Sequence, residues 1–265
     1  LNLLPSDIND LEDLKKLPIL TKEDIKLNFP KEIVSSYSKE KSLTIGSSGS
    51  TGEPLQYSIN KEAYDFNFST KLRGWGWSGW RFGEDYIKIS NHPRKSIVKK
   101  LYDFIFGCKY IYDDGLNDDK CLDIINYTKK SKVKMIYGYP STISVLATYM
   151  KEHSIFINSL VAINTHGEML LPSMKKVIEE RFGCPVFDGY SGEGGANASQ
   201  SNHNGDYLLS DEYAITELIE DKVLSDNSEQ RYQVISTDLW NYSVPFIRYN
   251  IKDLAFGIKV EKLIL

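Results

Sequence analysis

"VKMIYGYPSTISVLATYMKEH", Val133 to His153, joins a short apolar run to a segment with helical spacing, and the same alternation continues through residue 195. "VKMIY" (133–137) reads as a buried strand and "PSTISVLATYMKEH" as a helix with Pro140 at its start. "LVAIN" (160–164) is then a second strand, "PSMKKVIEERFG" a helix closed by Gly183, and "PVFD" a third strand. Strands and helices alternating in this way, with right-handed crossovers, make a parallel sheet with helices on its faces. Ligands of such sheets gather beyond the carboxyl ends of the strands, and here those ends carry the loops "GYPS", "THGE" and "DGYSGEGG".

The flanks read differently. "SDINDLEDLKKLP" and "TKEDIKLNFP" are expected to be helical, the first capped by Ser6 and the second by Thr21 with Asp24 three residues on. Asn60 is placed to cap a helix through about Arg73, "YIKIS" (86–90) alternates like a strand, and Val98, Leu101, Phe104 and Ile105 recur at helical spacing. Past Asp206, runs such as "YLLS", "AITELIE", "YQVISTDL" and "PFIRYN" are strand-like and divided by polar turns. The expected fold is therefore α/β: a helical lead-in (1–42), a parallel-sheet core (43–205) and an antiparallel, barrel-like β-rich part (206–265).

Composition removes several function classes. With 265 residues, 41% hydrophobic and 26% charged, the chain has the make-up of a soluble globular protein. A net charge of -4, without a basic block, argues against nucleic acid as a partner. No run approaches the ~18 apolar residues of a membrane span, and "LNLLPSDIND" lacks the features of a signal peptide, so no membrane insertion is expected and the cytoplasm is the expected compartment. Cys108, Cys121 and Cys184 are too few and too irregularly spaced for a disulfide framework or a zinc site, and read as small core residues. The chain lacks an initiating methionine, and we expect it to be a piece of something longer. Composition is silent on oligomeric state.

The loops carry the chemistry. In "LTIGSSGSTGEPLQYS" (43–58), the segment Ser47, Ser48, Gly49, Ser50, Thr51, Gly52 offers hydroxyls and backbone N–H groups that could converge on phosphate, although the same composition suits a flexible linker. It is not a Walker loop, because Glu53 follows where a lysine would be needed. "GWGWSG" (74–79) fits G-x-G-x-x-G by letter only. A helical pattern precedes it, no helix opens after it, and Trp75, Trp77 and Trp80 read as a packing cluster. Glu193, beside glycines just past a parallel strand, could reach a magnesium ion or be a plain surface glutamate. Glu168 on the adjacent loop has the same two readings, His166 beside it reads as a hydrogen-bonding loop residue rather than a catalytic base, and His92, His153 and His203 lack metal-ligand spacing. Asp253 in "PFIRYNIKDLA", near Arg248, suits two ribose hydroxyls or an ordinary turn.

Taken in order, "SSGSTGEP", "THGE", "FDGYSGEGG" and "VPFIRYNIKDLA" resemble the phosphate loop, adenine-side loop, Tyr-to-Glu motif and Arg-Tyr-x-x-x-Asp-Leu motif of the adenylate-forming superfamily. Within it the likeness is to the phenylacetate-CoA ligase and CapK-like branch, and "LKKLPILTKEDIKLNFP" is similar to that branch's lead-in. The resemblance implies a large nucleotide-binding domain. It also implies activation of a carboxylic acid by ATP with Mg2+, with passage of the acyl group from AMP to a thiol such as that of coenzyme A, or to an amine. It gives Ser47 to Gly52 to the β- and γ-phosphates, Gly167, Glu168, Asp188, Gly189 and Tyr190 to the adenine, Asp253 to the ribose and Glu193 to magnesium. Tyr137, Tyr139 and Pro140, with the tryptophans, would line the acid pocket. Two departures stand out. Only Ser191 and Gly192 separate Tyr190 from Glu193 where the family usually has three residues, and no counterpart of the family's catalytic lysine domain follows Leu265. These departures admit an alternative, a catalytically incomplete nucleotide-binding module of a capsule or polysaccharide-biosynthesis protein.

Overall fold

The computed structural model describes residues 4–36, 42–46, 55–221 and 230–256, and these divide into two compact units. The phosphate-loop residues Ser47 to Gly52 lie outside the described residues.

The first unit draws on residues 1–68, 192–197 and 209–265. Its lead-in contains two short 3-10 turns, Pro5–Asp7 and Glu12–Lys16, so Ser6 lies inside a turn and caps no helix. The first true helix, α1 (Lys22–Asn28), opens on the expected capping box. Thr21 Oγ1 accepts from Asp24 N (3.2 Å) and Asp24 Oδ2 accepts from Thr21 N (2.9 Å), satisfying two otherwise orphaned donors. Strands β1 (Ser42–Gly46) and β2 (Gln56–Asn60) pair antiparallel, and α2 (Lys61–Trp77) starts directly after them.

The second unit, residues 69–191 and 198–208, holds the α/β core. Along the chain come β3 (Tyr86–Ser90), α3 (Ile97–Ile105), β4 (Cys108–Tyr112), α4 (Asp118–Lys130), β5 (Met135–Gly138), α5 (Pro140–Glu152), β6 (Ala162–His166), α6 (Pro172–Phe182), β7 (Val186–Ser191), β8 (Asn197–Gln200) and β9 (Tyr207–Leu209). The sheet order is β4-β3-β5-β6-β7-β8-β9, and the pairs from β4 to β7 are parallel. One sheet face packs Ile87, Ile89, Ile136, Ile163 and Val186 against Ile124, Ile125, Ile143, Leu146, Ile178 and Phe182 of α4, α5 and α6. The other face carries an aromatic cluster of Trp75, Trp80, Tyr86, Met135 and Tyr137. All three cysteines are buried thiols of this unit. Burial pushes Cys108 up to about 11 and Cys184 up to about 12, and it raises Cys121 as well.

The first unit resumes with β10 (Ala214–Glu220), β11 (Arg231–Asp238) and β12 (Tyr249–Phe256), a three-stranded antiparallel sheet. Its buried cluster is Ile25, Leu55, Val244, Phe246 and Tyr249. The short strand near Asp206, expected to begin the β-rich part, joins the large sheet as β9 instead. Among the described residues no helix is long and apolar enough to cross a membrane.

Candidate functional site

In the second unit, parallel register sets the residues at the strand ends in layers. Lys88 pairs with Tyr110 on one side and Tyr137 on the other, Tyr137 with Asn164, and Asn164 with Phe187. Side chains alternate along a strand, so these five share a face, and the residues two further on, Ser90 and His166 among them, form the next layer toward the carboxyl ends. Tyr137 lies between Trp75 (ring centroids 4.7 Å) and His166 (4.3 Å, stacked), and His166 also meets Tyr139 (4.8 Å). Burial, reinforced by Lys88 and then Lys71, pushes the His166 imidazole down to about 3, so it is neutral at physiological pH. Its Nε2 is buried without a hydrogen-bond partner among the described residues.

Gly167 follows with φ 75°, a conformation that favours glycine, and a Cβ there would stand 3.0 Å from the Tyr139 ring. Glu168 Oε2 accepts from Ser141 N (3.2 Å), supplying the start of α5 with the acceptor that its N-cap, Tyr139, lacks. On β7 the Asp188 carboxylate is buried and engaged: Thr165 Oγ1 donates to Oδ1 (2.5 Å) and Tyr207 OH to Oδ2 (2.6 Å). Burial nonetheless raises its pKa above the ordinary carboxylate value, against the pull of those donors. Gly189 and Tyr190 complete the strand end, both half-buried.

The first unit holds the remaining residues that the sequence singled out. Glu193 opens a 3-10 turn, Glu193–Gly195, in which Gly194 (φ 72°) is pinned where a Cβ would stand 2.9 Å from the Tyr249 ring. Ser236 Oγ donates to Gly194 O (2.9 Å), and Tyr249 OH donates to Glu193 Oε2 (3.1 Å). Burial and then the Glu193 charge raise the Tyr249 hydroxyl's pKa, which keeps it a donor. Glu193 Oε1 accepts from no described side chain or backbone group, leaving one carboxylate oxygen for a further partner. Asp253 is exposed on β12. Arg248, five residues earlier in the chain, is buried, forks onto Glu217 (2.9 and 3.0 Å) and donates to the Leu17 and Lys15 carbonyls (2.6 and 3.3 Å).

No cluster of three or more His, Cys, Asp or Glu gathers as a metal cage among the described residues. Magnesium held largely by phosphates needs only one or two carboxylates, and the half-satisfied Glu193 fits that requirement. Sequence reasoning missed Lys71 and Lys88. The signal for Lys88 was a lysine in the middle of a strand whose neighbours are apolar.

The chain's similarity to known proteins agrees with this fold. It is 26% identical to Protein CapK of Staphylococcus aureus over 254 residues, 91% of the chain and 53% of that protein. To the phenylacetate-coenzyme A ligase of Aromatoleum evansii it is 25% identical, over 95% of the chain and 58% of the ligase. The chain thus spans little more than half the length of the curated relatives it matches. Among solved structures, 2-hydroxyisobutyryl-CoA ligase in complex with 2-HIB-AMP and CoA superposes with a TM-score of 0.71 at 21% identity, covering 96% of this chain and 62% of that one. No family model matches. The fold is that of the large domain of adenylate-forming enzymes. In sequence the chain resembles the CapK and phenylacetate-CoA ligase branch of those enzymes.

Proposed function

We propose that the protein is an ATP-dependent acid–thiol ligase. In the first step a carboxylate oxygen attacks the α-phosphorus of ATP, the bond to the β-phosphate oxygen breaks and pyrophosphate leaves. In the second a thiolate, that of coenzyme A in this reading, attacks the acyl carbon and AMP departs with the bonding electron pair. The observation that carries the reading is the similarity to a phenylacetate-coenzyme A ligase over 95% of the chain. The motif loops support it, since "THGE" and "FDGYSGEGG" end parallel strands, where ligands of such sheets bind.

The residue roles belong to the same proposal: Ser47 to Gly52 for the β- and γ-phosphates, Gly167, Glu168, Asp188, Gly189 and Tyr190 for adenine, Asp253 for the ribose hydroxyls. Asp188 serves adenine through its backbone, because its carboxylate is engaged by Thr165 and Tyr207. Glu193 would hold Mg2+, which when bound offsets negative charge on the triphosphate. Tyr249 orients that carboxylate through its other oxygen. The family's catalytic lysine belongs to a further C-terminal domain, and the cytoplasm is the compartment that suits ATP and coenzyme A.

Calorimetric titration with AMP and MgATP tests the reading. Both bind, and Glu193→Gln weakens MgATP while sparing AMP, since only the triphosphate brings a metal to this carboxylate. No heat from either nucleotide at millimolar concentration would sink the proposal. Equal losses for both nucleotides would make Glu193 a structural partner of Tyr249 alone.

A further inference from the structure

Two half-buried lysines of the second unit have no anion to meet. Lys88 stands on the aromatic face of β3, because its neighbours Ile87 and Ile89 go into the opposite core, and its Nζ lies 5.4 Å from the Tyr137 ring centroid. Lys71 sits one helical turn before Trp75 on α2, on the side that packs against Tyr137. Neither lysine has a salt bridge or hydrogen bond among the described residues, and each is half-buried. The acids of the unit that could answer them are committed elsewhere: Asp103 to a fork from Arg94 (2.8 and 2.9 Å), Asp188 to Thr165 and Tyr207, and Glu168 to Ser141 N. His166 Nε2 is buried and unpartnered against the same Tyr137 ring. Desolvation pulls both lysines below their ordinary value, Lys71 to about 8, as befits cations that lack a counter-ion. Unpaired half-buried cations are costly, and a ligand that supplies negative charge removes the cost.

We infer that this face receives the far end of the carboxylic acid substrate, and that this end carries a second negative group, a carboxylate or a phosphoryl, held by Lys88 and Lys71. The inference rests on the adenylation reading above and narrows its substrate class. The reacting carboxyl belongs at the strand ends, in the layer of Ser90 and His166, and Lys88 is two residues deeper. That is about 6–7 Å at the strand rise, the span of an extended six-carbon diacid. His166 Nε2 is left to meet a polar group along the chain between the two ends.

The test titrates the full-length protein with hexanoate, hexanedioate and the matching six-carbon phosphono acid, and separately with AMP and ATP. We expect either doubly anionic acid to bind about ten- to a hundredfold more tightly than hexanoate, the usual range for a charge-assisted contact. Lys88→Met and Lys71→Met should each collapse that ratio. They should also raise the melting temperature of the ligand-free protein, since an unanswered cation is gone, and this separates loss of selectivity from loss of folding. Equal binding of all three acids, or no binding of any while AMP binds, overturns the inference and leaves adenylation standing. A ratio that survives both substitutions overturns it too, as does a loss confined to ATP, which would assign the lysines to the triphosphate. Absence of AMP binding as well defeats the adenylation reading itself.

Discussion

His166 shows how one side chain reports its surroundings. Folded, its imidazole resists protonation down to about 3 against an ordinary 6.5, so between those values the unfolded chain binds the extra proton. Its contribution is therefore intact above about pH 6.5 and declines as pH falls toward about 3. We expect the melting temperature to drop across that window and His166→Gln to drop less steeply, as followed by scanning calorimetry. Parallel profiles would show that His166 titrates as freely in the folded protein as in the unfolded chain. The residue's position at a strand end was legible from "LVAIN" followed by "THGE", but its stacking on Tyr137 was not, because register between strands is not written in either strand alone. Arg248 makes the same point. The sequence marked it as a strand-end cation near Asp253, yet its guanidinium serves Glu217, 31 residues away, and two carbonyls of the lead-in.

Elements with strong local chemistry were the readable ones. The capping box at Thr21, Pro140 at the first position of α5 and Gly183 in the left-handed conformation after α6 each stand where their pattern predicts. Strand limits moved by about two residues: β5 and β6 begin later than their apolar runs, because Val133 and Leu160 are buried without joining the ladder. β4 and α4 escaped notice altogether, although Asn117 caps α4, acids open it and lysines close it. The helix α2 runs on through Gly74 to Trp77, past the expected end near Arg73. Gly74 is there for space: a Cβ would fall 2.3 Å from Ser199 Oγ and 2.6 Å from Ser199 Cβ, on β8. Gly74→Ala should thus lower stability by about 1–3 kcal/mol through overpacking, despite alanine's better helix propensity. Adding Ser199→Gly removes both offending atoms and should recover much of the loss in a denaturant double-mutant cycle. Additive losses would mean that the helix does not press on β8 at this point.

At the scale of the whole chain, the parallel run β5 to β7 was legible because crossover units repeat two period changes in fixed order. The extension of that sheet by β4 on one side and β8 and β9 on the other was not, since strands of three to five residues carry little pattern, and β3, legible as a strand in "YIKIS", gave no sign of its place beside β5. Nor did the sequence foretell that the first unit would gather three separate stretches of chain, a matter of contacts far apart in sequence. One consequence is practical. All three thiols belong to the second unit, and none belongs to the first. A thiol reagent is therefore a clock for the opening of that unit alone. When modification is slower than reclosing, the rate divided by that of an unfolded-peptide standard yields an opening equilibrium, and in large excess of reagent the rate becomes that of opening itself. Cys121 and Cys184, from the helix-covered core, should react together, and Cys108, on edge strand β4, sooner. Mass spectrometry would count the adducts one by one. A substrate that occupies the second unit should slow all three, so the protein carries, without any added dye, its own meter for ligand occupancy.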